Sequence, residues 1–183
     1  MELRKLAGIR KNLTKEAAEV LAHSFISSRL DYCNSLYYGL PKYLIDKLQY
    51  VQNSTARLIC GSYKFDHITP VLFDLHWLPV YLRIQFKINL ITYKALNKMA
   101  PVYISNMLER PQKSDQQMTL RSAVDPLRLK PFGVKKVNYG QRAYAYAAPL
   151  LWNDLPLVIR ESKTVSGFKS ALKTHYFRQH FAS

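Results

Sequence analysis

Apolar positions recur at helical spacing along most of the chain, and the breaks in that spacing fall at proline and glycine. Leu21, Phe25, Tyr32 and Leu36 follow the helical period behind Thr14, a good N-cap, although Ala17 denies it the carboxylate of a capping box. Gly39-Leu40-Pro41 ends that run. A second helix is predicted from Pro41, where a missing N–H costs nothing, to a stop at Gly61. Leu44, Leu48, Val51, Thr55 and Leu58 line its buried side, while Lys47, Gln49, Asn53 and Arg57 face elsewhere. Two helices joined this closely form an antiparallel hairpin.

A short helix over residues 69–75 follows, with Thr69-Pro70 as cap and first turn, and Trp77-Leu78-Pro79 breaks it. Residues 80–98 make the most regular helix. At 100° per residue, Arg83, Lys87, Lys94 and Lys98 fall in one basic stripe, flanked by Ile84, Ile88 and Ile91 on one side and Phe86, Leu90 and Tyr93 on the other. Ala100-Pro101 ends it, and residues 102–108 form one more short helix. Residues 109–125 are polar and read as a linker. Beyond them Leu127, Leu129, Val134 and Val137 alternate with basic residues, as a short hairpin would. Residues 140–153 are helical, Pro156 stops them, and Ser166 opens a final helix through Phe181. The expected fold is therefore mainly α: a helical bundle over 1–108, a linker over 109–125, and a smaller basic α or α+β domain over 126–183.

Composition sharpens the picture through charge. The 183 residues carry 27 Lys and Arg against 12 Asp and Glu, a net of +15. From Arg110 onward the count is 13 against 4, so the tail is the more basic half per residue. A surplus of this size favours polyanions through phosphate neutralisation and counterion release. No run approaches the ~18 apolar residues of a spanning helix, so no membrane partner is expected. Cys33 and Cys60 lack metal-ligand spacing and read as buried, reduced core residues of an intracellular protein, cytoplasmic or nuclear.

Catalytic patterns are missing. The chain has no Asp-Asp pair for a two-metal polymerase site, no phosphate-binding loop, and six scattered glycines. His67 and His76 beside Asp66 and Asp74 read as loop and capping residues rather than a metal or acid–base site. His175 and His180 are five apart, off the spacing that would bind one metal. No cofactor or metal is expected. Binding is the remaining chemistry. Arg121, Arg128, Lys130, Lys135, Lys136 and Arg142 interleave with Phe132, Tyr139, Tyr144 and Tyr146, cations for phosphates and rings for unpaired bases. The bland alternative is a solvated basic hairpin with core aromatics. Arg83, Lys87, Lys94 and Lys98 are a second candidate, and Lys169 and Lys173 with Arg178 a third; either could be no more than a wet helix face. Trp152, between leucine and asparagine and near Pro149 and Pro156, reads as a packing anchor.

Two segments carry a family resemblance. In NYGQRAYAYAAPLLWNDLP the residues Tyr139, Gly140, Arg142, Ala143, Ala147, Ala148, Pro149, Leu151, Trp152, Asn153, Leu155 and Pro156 stand in a recognisable order. Ile159, Arg160, Phe168, Lys169, Leu172, Lys173, Thr174, His175 and Phe177 continue it through SGFKSALKTHYFRQHF. The pattern resembles the C-terminal tail of the replicase polyprotein of LINE-type (non-LTR) retrotransposons, a transposable-element RNA-directed DNA polymerase. Residues 27–59 resemble the helical thumb behind the reverse-transcriptase palm, and residues 67–104 the segment joining thumb to tail. Many such replicases end in a zinc knuckle, which is lacking here. The resemblance implies a non-catalytic fragment, not an enzyme in itself, with RNA or an RNA/DNA hybrid as partner and the parent's palm as a second contact. Two further readings remain open: a protein-interaction scaffold that docks on the palm, and a decayed element fragment with no function of its own.

Overall fold

Thr14 starts the first long arm as expected, its Oγ1 accepting the Ala17 N–H at 3.2 Å. In the computed structural model, which describes residues 2–110, 125–133 and 140–182, the chain is mainly helical, with no strand or sheet among the described residues. It forms two compact units, Met1–Ile84 with Tyr176–Ser183, and Gln85–His175. The divisions fall inside two long helices, after Ile84 and after His175, and most of the expected linker, residues 111–124, lies outside the described residues.

The first unit opens with α1 (Glu2–Ile9) and a 3₁₀ turn (Arg10–Asn12), then α2 (Lys15–Ala22), a π-helical segment (His23–Ser27) and α3 (Ser28–Asp31). Residues 14–38 are thus not one α-helix. Ser24 Oγ donates to the Val20 carbonyl (2.9 Å) and Ser28 Oγ to the Ser24 carbonyl (2.6 Å). Such back-bonding competes with the main-chain ladder and widens or bends a helix. The wider turn keeps Ala18, Ala22, Ile26 and Leu30, four residues apart, all buried. Phe25, Tyr32 and Leu36, expected inside, are 47%, 75% and 71% exposed. Cys33 then takes a left-handed conformation (φ 50°), ends α3 and enters a 3₁₀ turn (Asn34–Tyr37). Its thiol is exposed, not buried as expected; Cys60 is half-buried, and both are free.

α4 (Lys42–Cys60) runs from Pro41 to Gly61, whose φ of 69° gives the expected left-handed cap. Its inward face is rotated from the expected one: Gln52, Thr55, Ala56 and Ile59 are buried, while Leu44, Leu48, Val51 and Leu58 are half-buried. Gln49, expected to face away, accepts the Val80 N–H (2.8 Å), and Gln52 donates to the Leu78 carbonyl (2.9 Å). The start of α2 lies beside the end of α4, where Arg10 reaches the Leu58 and Ile59 carbonyls, so the two arms are antiparallel. α5 (Ile68–Asp74) begins one residue before Thr69, with His67 as its N-cap. His76 (φ 53°) closes it and lets Trp77 donate back to the Leu72 carbonyl (2.9 Å). The core gathers Leu6, Ala22, Ile26, Leu30, Ala56, Ile59, Val71, Leu72, Leu75 and Trp77.

α6 (Val80–Leu96) passes from the first unit into the second. The second unit continues with α7 (Val102–Ser105), the extended segment 125–133, α8 (Tyr144–Asn153), α9 (Leu157–Arg160) and most of α10 (Val165–Phe181). Thr164 caps α10, accepting the Gly167 N–H at 3.0 Å, so the helix starts ahead of Ser166. Pro156 stops α8 as expected and also caps the short α9, which the sequence pattern did not indicate. Val134 and Val137 of the expected hairpin lie outside the described residues; the described part of the tail holds one isolated antiparallel bridge, Glu109 to Lys130. The core stacks Tyr93 on Phe168 with centroids 4.3 Å apart, with Trp152 beside Phe168 at 5.9 Å.

Candidate nucleic-acid interface

Beyond the Lys130 N–H to Glu109 carbonyl bond (2.8 Å) and the Arg128 N–H to Asp125 carbonyl turn bond (3.1 Å), the backbone of segment 125–133 relies on side chains for its hydrogen bonds. Those groups come from the tail motif. Trp152 Nε1 donates to the Leu127 carbonyl (2.9 Å). Asn153 Nδ2 donates to the Leu129 carbonyl (2.8 Å), while its Oδ1 accepts the Leu129 N–H (2.9 Å). Arg160, 8% exposed, donates through Nε to the Leu155 carbonyl (3.0 Å) and pairs with the Asp125 carboxylate. Asp125 in turn accepts the Leu127 N–H (3.0 Å). Leu129 is driven fully inside, and alternation leaves Arg128 and Lys130 on the outside, both exposed.

Phe132, 55% exposed, stands on the same segment as those two cations. Tyr144 and Tyr146, two further rings of the expected basic–aromatic run, are half-buried. Tyr144 hydroxyl meets Thr92 Oγ1 at 3.1 Å, and burial pushes its phenol up to about 12. Tyr146 is half-buried, and Arg142 is exposed just ahead of α8. Arg121, Lys135, Lys136 and Tyr139 lie outside the described residues. The expected face therefore holds, in its described part, Arg128, Lys130, Phe132 and Arg142.

The α6 stripe does not stay together as a charged face. Arg83 donates through Nε to the Leu78 carbonyl (3.1 Å), pairs with Asp31 (2.8 Å), and lies over the Trp77 ring at 5.8 Å. It is a packing cation of the first unit. Lys87 and Lys94 are half-buried, and Lys98 sits past the helix end in a left-handed conformation (φ 58°). Lys169, Lys173 and Arg178 on α10 are exposed. Of the histidines, His76 stacks on Phe177 (5.7 Å, 16°), and His180 meets the Tyr81 hydroxyl at 3.3 Å. Asp66 accepts the Tyr63 N–H (2.7 Å). No group of three or more His, Cys, Asp or Glu is arranged to hold a metal among the described residues. No helix among them is long and apolar enough to cross a membrane.

Sequence reasoning missed a basic pocket of about 680 Å³ at the end of α4, lined by Arg10, Lys11, Tyr50, Arg57 and Lys64 among others. Its cations come as two pairs, Arg10 with Lys11 and Arg57 with Lys64, more than 40 positions apart, and no periodic pattern links a 3₁₀ turn to the far end of a helix. The one available signal was Arg57, Lys64, Tyr63 and Phe65 clustered around a helix stop. Comparison of the chain with protein-family models, with curated proteins and with solved structures gives no match.

Proposed function

We propose that the chain is a non-catalytic nucleic-acid-binding fragment of a LINE-type retrotransposon RNA-directed DNA polymerase, gripping RNA or an RNA/DNA template-primer by its backbone. The observation that carries this is the fate of the charge. Every described Lys and Arg except Arg160 reaches solvent. Ion pairs such as Arg83–Asp31 and Arg160–Asp125 remove one cation with one anion, so the surplus of cations among the described residues stays on the surface. Arg128, Lys130 and exposed Phe132 on a clamped segment supply phosphate contacts beside a ring for an unpaired base. Recognition of this kind follows backbone and shape more than sequence.

The test is binding of the purified chain to labelled single-stranded and hairpin RNA across a salt series. The expected result is submicromolar binding at ~150 mM salt with a steep salt slope, each lost phosphate contact lowering that slope by about 1. Arg128→Glu with Lys130→Glu should weaken binding and flatten the slope. Binding that vanishes at physiological salt, or that ignores both reversals, would overturn the reading.

A scaffold function is the second reading, and one observation favours it. Tyr32, Leu36 and Tyr43, around the turn joining the two arms of the first unit, are 75%, 71% and 62% exposed. Apolar side chains so exposed suit a protein partner such as the parent's palm.

A further inference from the structure

The pocket at the end of α4 is built from three separate segments of the first unit. Tyr50, Ser54, Arg57, Leu58 and Gly61 form a single stripe on α4; Arg10 and Lys11 come from the 3₁₀ turn, and Ser62 and Lys64 from the turn after Gly61. The lining holds four cations and no carboxylate. Lys11 and Lys64 are exposed and have no ion-pair partner among the described residues.

A helix C-terminus ordinarily repels anions, since its last carbonyls carry partial negative charge. Here three of those carbonyls, of Arg57, Leu58 and Ile59, are covered. Arg10 donates to the Leu58 and Ile59 carbonyls (3.0 and 2.7 Å), and the Ser62 N–H donates to that of Arg57 (3.0 Å). Lys11, Arg57 and Lys64 thus line the pocket where most of the helix-end carbonyls are already paired. Arg57 donates one hydrogen bond, to the Asp66 carbonyl (3.0 Å), and its Nε is buried with no partner among the described residues. Tyr50, 68% exposed, adds an open aromatic ring to the wall. The volume falls in the range of ordinary small-ligand sites.

We infer that this pocket seats one nucleotide of a single strand, its phosphate held by Lys11, Lys64 and Arg57 and its base laid on the Tyr50 ring. The inference rests on the nucleic-acid reading of the chain but uses residues outside the tail. A nucleotide is preferred to a bare anion because the cations share their pocket with a ring, the pairing that single-strand binders use.

Amide NMR of the full chain, titrated separately with uridine 5′-monophosphate, a short oligouridylate and inorganic phosphate, tests it. The nucleotide and the oligonucleotide should both move the Gly61 and Ser62 amides, with inorganic phosphate binding more weakly. Lys11→Ala combined with Lys64→Ala should weaken both nucleotide probes by tenfold or more. Tyr50→Ala should weaken them roughly tenfold and Tyr50→Phe should not. All three positions are exposed, so folding should persist. Arg128→Glu with Lys130→Glu should leave the pocket shifts intact. Inorganic phosphate binding as tightly as the nucleotide, with no effect of Tyr50→Ala, would reduce the pocket to an anion patch and overturn the proposal. If the Gly61 and Ser62 amides stay still while the oligonucleotide binds and responds to the tail reversals, the pocket fails alone. An oligonucleotide that binds nowhere on the chain overturns both readings.

Discussion

Asn153 satisfies both main-chain groups of Leu129 with a single side-chain amide, at 2.8 and 2.9 Å. Asn153→Ala removes both bonds and strands the Leu129 N–H and carbonyl beside a buried side chain. At roughly 1 kcal/mol per bond plus part of the desolvation penalty, the loss should be about 2–3 kcal/mol by urea unfolding. Asp154→Ala, one position on and exposed, should stay within ~0.5 kcal/mol. Equal effects would show that the clamp is not what holds the segment. Tyr144 gives a prediction in pH. Unfolded phenols lose their proton near 10, whereas burial keeps that of Tyr144 to about 12 in the fold. The folded state therefore holds more protons in that window. Its stability is unaffected below about pH 10 and falls between about 10 and 12, by on the order of 2 kcal/mol. Urea midpoints of the wild type and Tyr144→Phe should diverge in slope over that range, and parallel profiles would refute the assignment. Trp152 was legible from sequence as an anchor. Its partner was not, because an indole that donates to a main-chain carbonyl 25 positions away leaves no trace in side-chain patterning.

Three elements end on residues other than glycine in the left-handed region: Cys33 after α3, His76 after α5 and Lys98 after α6. A side chain there carries a steric penalty that glycine avoids, of about 1–2 kcal/mol, offset in part by the greater unfolded freedom of glycine. Cys33 is exposed and has no described contact to lose, so Cys33→Gly should raise stability by a few tenths to about 1 kcal/mol. A lower Tm for that variant would mean that the turn is held by the cysteine side chain. These endings also explain what the pattern could and could not supply. Gly61 and Pro156 announced their breaks because their chemistry forces them. Cys33 did not, and the periodic run was read straight through it. The π-helical turn added a second displacement by changing the number of residues per turn, so Phe25 was assigned to a face that Ile26 occupies. α4, α5 and α6 were legible within two residues at their ends because nothing inside them alters the period.

Across the whole molecule, charge was the property that sequence conveyed best, since a surplus of 15 cations over a chain of this length has nowhere to go but the surface. The placement of individual cations was less legible. Arg83 and Arg160 each found a carboxylate distant in sequence and joined the packing, while Lys11 and Lys64, distant in sequence, line one pocket at the open end of the hairpin. Helical periodicity sorts residues on one element; it carries no information on which element arrives opposite. The RNA salt series is a prediction at this scale, because the slope reports the sum of the phosphate contacts rather than any one of them.

The clamp on segment 125–133 has a consequence for how such a sequence can change over time. Trp152 and Asn153 read only main-chain atoms of Leu127 and Leu129. The frame therefore asks for a buried leucine at 129 and places no demand on the exposed side chain at 128. Mutations at that site are nearly neutral for folding while acting directly on whatever the surface touches. A lineage can thus drift or retune that surface one substitution at a time, with the motif behind it held fixed.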